Sequence, residues 1–97
     1  MLGGRLTLDW VRHEVGFDGS KLELTLTEFG ILRTLVEVPG RVYSRDELMD
    51  RAYVGHRVVS DRTIDSHVRR LRGKFRALGI DPVRTVHGLG YKFNSTP

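Results

Sequence analysis

The segment from Asp61 to Leu78 places the strongest constraint on how this chain can fold. Apolar residues recur in it at the spacing of one helical face: Ile64, Val68, Leu71, Phe75 and Leu78. At about 100° per residue, these side chains lie within about 40° of Ile64, which predicts one long amphipathic helix over 61–78. A chain of 97 residues offers a single domain in which to bury that face.

Two shorter helices are predicted before it by two capping boxes. Thr25 to Glu28 and Ser44 to Glu47 both follow the pattern Ser/Thr-x-x-Glu. In that pattern the hydroxyl caps the start of a helix and the glutamate bonds back to the capping residue. The first box opens a helix over about 26–38, which Pro39-Gly40 ends, and the second opens a helix over about 45–53.

Short strands are predicted on both sides of the helices. Alternating apolar and polar residues indicate a small antiparallel sheet over 5–25, with Asp18-Gly19 as a hairpin turn. Residues 84–87 and 91–93 indicate a C-terminal β-hairpin whose turn is Gly88-Leu89-Gly90. The fold class is therefore α+β, and the order of elements is that of a winged helix-turn-helix. The hairpin over 84–93 is called the wing below.

The excess positive charge is concentrated in the longest predicted helix. The chain has 16 Lys and Arg against 12 Asp and Glu, and a formal charge of +4. Six of the basic and two of the acidic residues lie in 61–78, so the rest of the chain is neutral in sum. The polar face of this helix carries Arg62, Ser66, Arg69, Arg70 and Gly73. Such a face fits a DNA groove or is simply solvated, and periodicity and composition favour neither.

No group of residues indicates catalysis. The absence of Cys excludes disulfides, thiolate metal sites and cysteine nucleophiles. The four His are scattered without metal-ligand spacing, and Gly88-Leu89-Gly90 lacks the third glycine and the helix of a nucleotide loop. We therefore expect no enzyme activity, no metal and no cofactor. No apolar run approaches the roughly 18 residues of a membrane span, so we expect a cytoplasmic domain without membrane contact.

Four motifs, in order along nearly the whole chain, resemble those of one known family. Leu26-Thr27-Glu28-Phe29 with Ile31-Leu32 resembles its L/P-T-E-F-x-L-L helix start, and VYSRDEL at 42–48 resembles its R-V-x-S-R-E-x-L signature. DRTIDSHVRRLR at 61–72 is similar to its recognition helix, and TVHGLGYKF at 85–93 is similar to its wing. The family is that of OmpR/PhoB-type winged-helix effector domains of bacterial response regulators.

The resemblance implies a transcription regulator that binds double-stranded DNA sequence-specifically. Helix 61–78 would enter the major groove, and the wing would meet the adjacent minor groove or backbone. In this family a sensor kinase phosphorylates an Asp of an N-terminal receiver domain, which promotes dimerisation on tandem direct repeats. A receiver of roughly 120 residues does not fit in this chain. We therefore expect a single effector domain over 1–97 from a larger protein, and no Asp here is assigned as the phosphoacceptor.

Matched position by position, the resemblance implies which residues of the helix meet DNA. They are Arg62, Thr63, Ser66, His67, Arg69, Arg70 and Arg72. Ser66 and Arg70 are predicted to read bases, and the others to contact phosphates. Arg72 projects about 80° from Ile64, near the border of the core. Packing or an intramolecular salt bridge is therefore an open alternative for it.

The wing departs from the family pattern at one position. Thr85 and Gly88 match positions that contact phosphates in the family. His87 stands where the family usually has an Arg that enters the minor groove. A neutral imidazole is shorter and uncharged, so minor-groove readout is either lost or dependent on pH.

The segment between the second and third helices carries a further expectation. Loop 54–59 resembles the segment that touches RNA polymerase in family members, and Gly55, His56 and Arg57 would form its exposed tip. An inert surface loop agrees equally well with these residues. For the whole chain, the alternative function is a winged-helix module that binds an acidic protein without reading DNA. The four ordered motifs favour DNA.

Overall fold

The computed structural model describes residues 6–9, 11–52 and 61–94, with side chains in the last range from Ile64 onward. Within these ranges the elements are β1 (Leu6–Asp9), β2 (Glu14–Phe17), β3 (Ser20–Leu22), α1 (Leu26–Glu37), α2 (Arg45–Ala52), α3 (Asp61–Arg76), β4 (Val83–Val86) and β5 (Gly90–Phe93). The predicted α+β class and the order of a winged helix-turn-helix are confirmed.

Both capping boxes form as the sequence predicts. The Thr25 hydroxyl accepts a hydrogen bond from the Glu28 amide, and the Glu28 carboxylate accepts one from the Thr25 amide, each at 3.1 Å. Ser44 and Glu47 make the same exchange at 3.1 and 2.9 Å. These bonds satisfy amides that have no partner inside a helix, which is why α1 and α2 begin where they do.

Helix α3 ends two residues before the predicted boundary at Leu78. Its last helical residue is Arg76, and 77–79 form a turn. The Ile80 amide donates back to the Phe75 carbonyl at 3.3 Å, and Gly79 has a φ of 86°. A left-handed glycine with this backward bond closes a helix C-terminus, so the chain leaves the helix at Gly79, directly after Leu78.

The N-terminal sheet is antiparallel in the order β1-β2-β3. Its β2–β3 turn is Asp18-Gly19, as predicted, and both residues have positive φ, at 52° and 87°. Two positive φ values are typical of the two-residue hairpin turn that matches strand twist. The last strand is shorter than its alternating sequence suggests. It stops at Leu22 because the chain must reach the cap of α1 at Thr25.

The wing begins one residue earlier than predicted, and its turn also lies one residue earlier than predicted. Strand β4 begins at Val83, which pairs with Phe93, and the turn consists of 87–89. His87 therefore lies in the turn and not in the predicted strand, whereas Gly90 lies in β5 and not in the turn. A hydrogen bond of 2.9 Å from the Leu89 amide to the Val86 carbonyl closes this turn.

The three helices and both sheets enclose one apolar core. The predicted stripe of α3 supplies its centre: four of its residues are buried, and Leu78 is partly buried against them. The other buried apolar residues are Leu6, Val15, Leu22, Phe29, Ile31, Leu32, Leu35, Val36, Tyr43, Leu48, Ala52, Val83, Tyr91 and Phe93. The polar face of α3 is therefore left on the outside.

Backbone hydrogen bonds attach the wing to the connection between α1 and α2. The amides and carbonyls of Tyr43 and Tyr91 bond to each other at 2.8 and 2.9 Å, and the Gly40 amide donates to the Phe93 carbonyl at 2.9 Å. A Cβ on Gly90 would overlap the Tyr43 carbonyl, and Gly90 has a φ of 149°. Glycine at position 90 is thus what lets β5 lie against this connection.

We expect Gly90→Ala to lower the free energy of unfolding by about 2–4 kcal/mol, because the added methyl group overlaps backbone and the φ is strained for alanine. Urea denaturation followed by circular dichroism would measure the loss.

Gly73→Ala is the matched control, because a Cβ on Gly73 meets nothing within 4 Å. It lies in α3, so alanine should stabilise the domain by about 0.5–1 kcal/mol. Equal urea midpoints for Gly90→Ala and the wild type would contradict the attachment of the wing to Tyr43.

Candidate nucleic-acid interface

The outer face of α3 presents two exposed guanidinium groups, of which Arg69 lies near enough to Asp65 for its charge to help lower the pKa of that carboxylate. Arg69 and Arg70 are exposed, and neither forms an ion pair or side-chain hydrogen bond with any residue in the part of the chain that the structure describes. Ser66 lies one turn before Arg70 and is half-buried. Arg62 and Thr63 belong to the first turn of α3, and their side chains lie outside the described residues.

The basic residues toward the C-terminal end of α3 form ion pairs within the molecule. Lys74 Nζ lies 2.6 Å from Glu28 Oε1 and also donates to the Glu23 carbonyl at 2.8 Å. Glu28 is buried, so this pair fastens the start of α1 to the end of α3. Arg76 likewise pairs with Asp81 at 3.2 Å. The net charge of the helix therefore overstates the charge that it offers to an anion.

Arg72 adopts the intramolecular alternative that the sequence left open. Its Nε and Nη2 lie 3.4 and 3.3 Å from the two carboxylate oxygens of Asp81. Its Nη1 donates to the Thr85 hydroxyl at 2.9 Å, so the side chain joins α3 to the wing. Only 21% of this side chain is exposed.

One carboxylate joins α2, α3 and the wing. Asp65 Oδ1 accepts hydrogen bonds from Arg45 Nε and from the Tyr91 hydroxyl, both at 2.7 Å. Burial alone would raise the pKa of Asp65, but the bonds from Tyr91 and Arg45 outweigh burial and hold that pKa below its usual range. The carboxylate is therefore ionised at neutral pH and fixes the wing relative to α3.

The two predicted histidines differ in their surroundings. His67 is half-buried, and burial lowers its pKa; the charge of Arg70 lowers it further, while that of Glu28 opposes both. At neutral pH its imidazole is therefore mainly uncharged. His87 is exposed in the turn of the wing with Gly88, next to Leu89, which is 63% exposed.

Sequence reasoning missed the ion pairs that hold this surface together. Arg45 and Asp65 are 20 residues apart, and Lys74 and Glu28 are 46 apart. Helical spacing relates only residues three or four apart, so no pattern in the sequence could have paired them. The predicted polymerase-contact loop, with Gly55, His56 and Arg57, lies outside the described residues.

The described ranges offer neither a metal site nor a membrane-spanning helix. They contain no group of three or more His, Asp or Glu that could hold a metal ion. None of their helices has the length and apolar character needed to cross a membrane.

Asp65→Asn should lower the free energy of unfolding at pH 7 by about 1–2 kcal/mol, because two donors lose a charged acceptor that is partly exposed. The depressed pKa of Asp65 means that its contribution is complete above its unfolded pKa. That contribution is lost as the pH falls through the folded pKa. The difference between the wild type and the variant should therefore begin to shrink below about pH 4 and be smaller at pH 3.5 than at pH 7. Urea denaturation at pH 7 and at pH 3.5 would measure this.

Asp50→Asn is a suitable control, because Asp50 is exposed on α2. It should leave the free energy of unfolding within about 0.5 kcal/mol of the wild type at both pH values. A constant difference between Asp65→Asn and the wild type across this range would contradict the role given to the carboxylate charge.

Comparison with known proteins places the chain among bacterial regulators. The family model described as "Transcriptional regulatory protein, C terminal" matches residues 19–93. The transcriptional regulatory protein BaeR of Escherichia coli O6:H1 is 41% identical over 92 residues, which are 93% of this chain and 38% of BaeR. The phosphate regulon regulator PhoB of Pseudomonas aeruginosa is 37% identical over 92 residues, 95% of this chain and 40% of PhoB. The chain spans about two-fifths of the length of these relatives.

Solved structures with the same fold include two bound to DNA. The DNA-binding domain of the response regulator AdeR, in complex with an intercistronic region, has a TM-score of 0.85 and 34% identity, and covers 93% of this chain and 94% of that one. The RstA DNA-binding domain of Klebsiella pneumoniae, in complex with the RstA box, has a TM-score of 0.80 and 30% identity. The match covers 96% of this chain and 94% of the RstA domain.

Proposed function

The chain belongs to the family of transcriptional regulatory C-terminal domains of the OmpR/PhoB response-regulator type, and we propose that it binds double-stranded DNA sequence-specifically to regulate transcription. The family consists of DNA-binding domains and not of enzymes. One observation carries the proposal: Arg69 and Arg70 are exposed on α3 without an ion pair or side-chain hydrogen bond to any described residue, and the other face of this helix is buried. Similar domains hold DNA in the AdeR and RstA complexes.

Helix α3 is the element proposed to enter the major groove. A groove about 12 Å wide admits an α-helix. Arg70 and Ser66, one turn apart, would face the base edges, and Arg70 can bond guanine through two nitrogens. Arg69, at the edge of the same face, would contact a phosphate. The family motif supports phosphate contacts for three further residues of this helix: Arg62, Thr63 and His67.

The wing is proposed to meet the neighbouring minor groove or backbone. Gly88, in the turn, would present its amide to a phosphate, because it has no side chain to keep the backbone away. His87 is exposed beside it and would reach the groove where the family usually has Arg. Thr85 would donate its hydroxyl to a phosphate.

The proposal for the whole protein follows the family. Two copies would bind tandem direct repeats as a homodimer, after a sensor kinase phosphorylates a receiver domain elsewhere in the protein. RNA polymerase would meet loop 54–59 through Gly55, His56 and Arg57. A protein that regulates bacterial transcription in this way works in the cytoplasm. A winged-helix module for an acidic protein partner is the alternative, and the DNA complexes of similar domains disfavour it.

Arg70→Ala should weaken binding to the preferred duplex by about 1–3 kcal/mol and relax discrimination at one base pair, because a bidentate base contact is lost. Fluorescence anisotropy with a duplex obtained by in vitro selection, and with each single base-pair change in it, would measure both effects.

Arg69→Ala is the matched control, because it should weaken binding to selected and random duplexes equally. If Arg70→Ala also weakens both equally, Arg70 contacts phosphate and the proposed readout is wrong.

Binding should weaken steeply with salt, by about 0.9 log units in affinity per log unit of salt for each phosphate neutralised. Arg69→Gln should reduce that slope by about 0.9, because one exposed cation that would neutralise a phosphate is removed. Anisotropy titrations at several salt concentrations would give the slopes. No duplex binding by the wild type at low salt would favour the protein-interaction alternative.

A further inference from the structure

The contacts of Arg72 determine whether the Thr85 hydroxyl on the wing donates or accepts a hydrogen bond. A threonine hydroxyl has one proton to donate and can also accept, whereas a guanidinium can only donate. Because Arg72 Nη1 donates to Thr85 Oγ1 at 2.9 Å, the hydroxyl must accept that bond. Its own proton remains to be donated elsewhere. Among the described residues, no group accepts it.

Asp81 fixes the guanidinium that makes this bond. Its two carboxylate oxygens accept from Nε and Nη2 of Arg72, which leaves Nη1 directed at the wing. Burial would raise the pKa of Asp81, but hydrogen bonds from Arg72 and Arg76 hold it below its usual range. The carboxylate is therefore ionised, and the guanidinium groups of Arg72 and Arg76 share it.

The strand geometry of the wing turns Thr85 toward α3. Thr85 pairs with Tyr91 in the β4–β5 ladder, and the Tyr91 hydroxyl bonds to Asp65 on α3. Thr85 and Tyr91 therefore lie on the wing face that meets α3. Their outward neighbour Arg84 lies on the opposite face and is exposed. The free proton of Thr85 thus lies at the junction of the helix and the wing.

We propose that Arg72 and Asp81 are positioning residues, which hold the Thr85 hydroxyl as a hydrogen-bond donor to a DNA phosphate oxygen. This inference rests on the proposed DNA-binding function and changes one assignment within it. The chain from Asp81 through Arg72 to Thr85 polarises the hydroxyl and makes it a stronger donor. Arg72 itself is not proposed to contact a phosphate, because each of its three nitrogens already donates to Asp81 or Thr85.

A double-mutant cycle tests the proposal. Thr85→Val removes the hydroxyl and keeps the size of the side chain, and it should weaken duplex binding about tenfold in the wild type. In an Arg72→Gln background the same change should cost less than about twofold, because the hydroxyl is no longer held. The salt slope should stay the same in both single variants, since neither removes a phosphate-neutralising charge.

Arg76→Gln is the matched control. Arg76 is the other partner of Asp81 on the same helix, and its side chain is 57% exposed. Its removal leaves the bond from Arg72 to Thr85 in place, so Thr85→Val should still cost about tenfold in that background. Thermal unfolding of each variant would establish that the domains remain folded at the assay temperature.

A change on the DNA keeps the test decisive if Arg72→Gln does not fold. Uncharged methylphosphonate groups, placed one at a time along the selected duplex, should reveal one phosphate whose replacement weakens the wild type but not Thr85→Val.

Two results would overturn the proposal. One is a tenfold cost of Thr85→Val in both backgrounds, and the other is a salt slope that Arg72→Gln reduces by about 0.9. If the wild type binds the duplex, either result would refute this inference and leave the proposed function in place. If the wild type binds no duplex, the proposed function itself is refuted.

Discussion

A single carboxylate oxygen joins the three elements that make the candidate DNA-reading surface. Asp65 lies on α3, and its Oδ1 accepts bonds from Arg45 at the start of α2 and from Tyr91 on the wing. The apolar core sets which face of α3 is buried, but apolar packing is not directional. The bonds to Asp65 are directional, and they fix the angle between the helix and the wing. Simultaneous contact of α3 and the wing with DNA depends on that angle.

The charges of α3 are divided between stability and binding. Toward its C-terminal end, Arg72, Lys74 and Arg76 pair with carboxylates of other elements. In the middle of its outer face, Arg69 and Arg70 remain exposed. The basic residues of α3 therefore have two roles, because the paired cations hold the helix in place and the exposed ones can attract an anion. The sequence does not distinguish the two groups, but the three-dimensional structure does.

Features of the fold that depend on residues close together in the sequence were predictable. Ion pairs between residues far apart in the sequence were not. The capping boxes, the Asp18-Gly19 turn and the stripe of α3 depend on residues a few positions apart, and all three form as expected. The end of α3 and the turn of the wing differ from the predicted bounds by one or two residues, because backbone hydrogen bonds from Ile80 to Phe75 and from Leu89 to Val86 set them. For the site, the sequence identified the exposed arginines but left Arg72 undecided. Its partner Asp81 belongs to the loop beyond α3, and helical spacing does not reach that loop.

The attachment of β5 to Tyr43 has a consequence for how copies of this domain can associate. Because β5 lies between β4 and the Tyr43 backbone, and no described strand pairs with the other side of β4, β4 is an edge strand of the wing. That edge is only four residues long and carries the exposed Arg84. Short, charged edges are poor templates for a strand from another molecule. The wing is therefore a poor site for strand-to-strand pairing with a second copy of this domain.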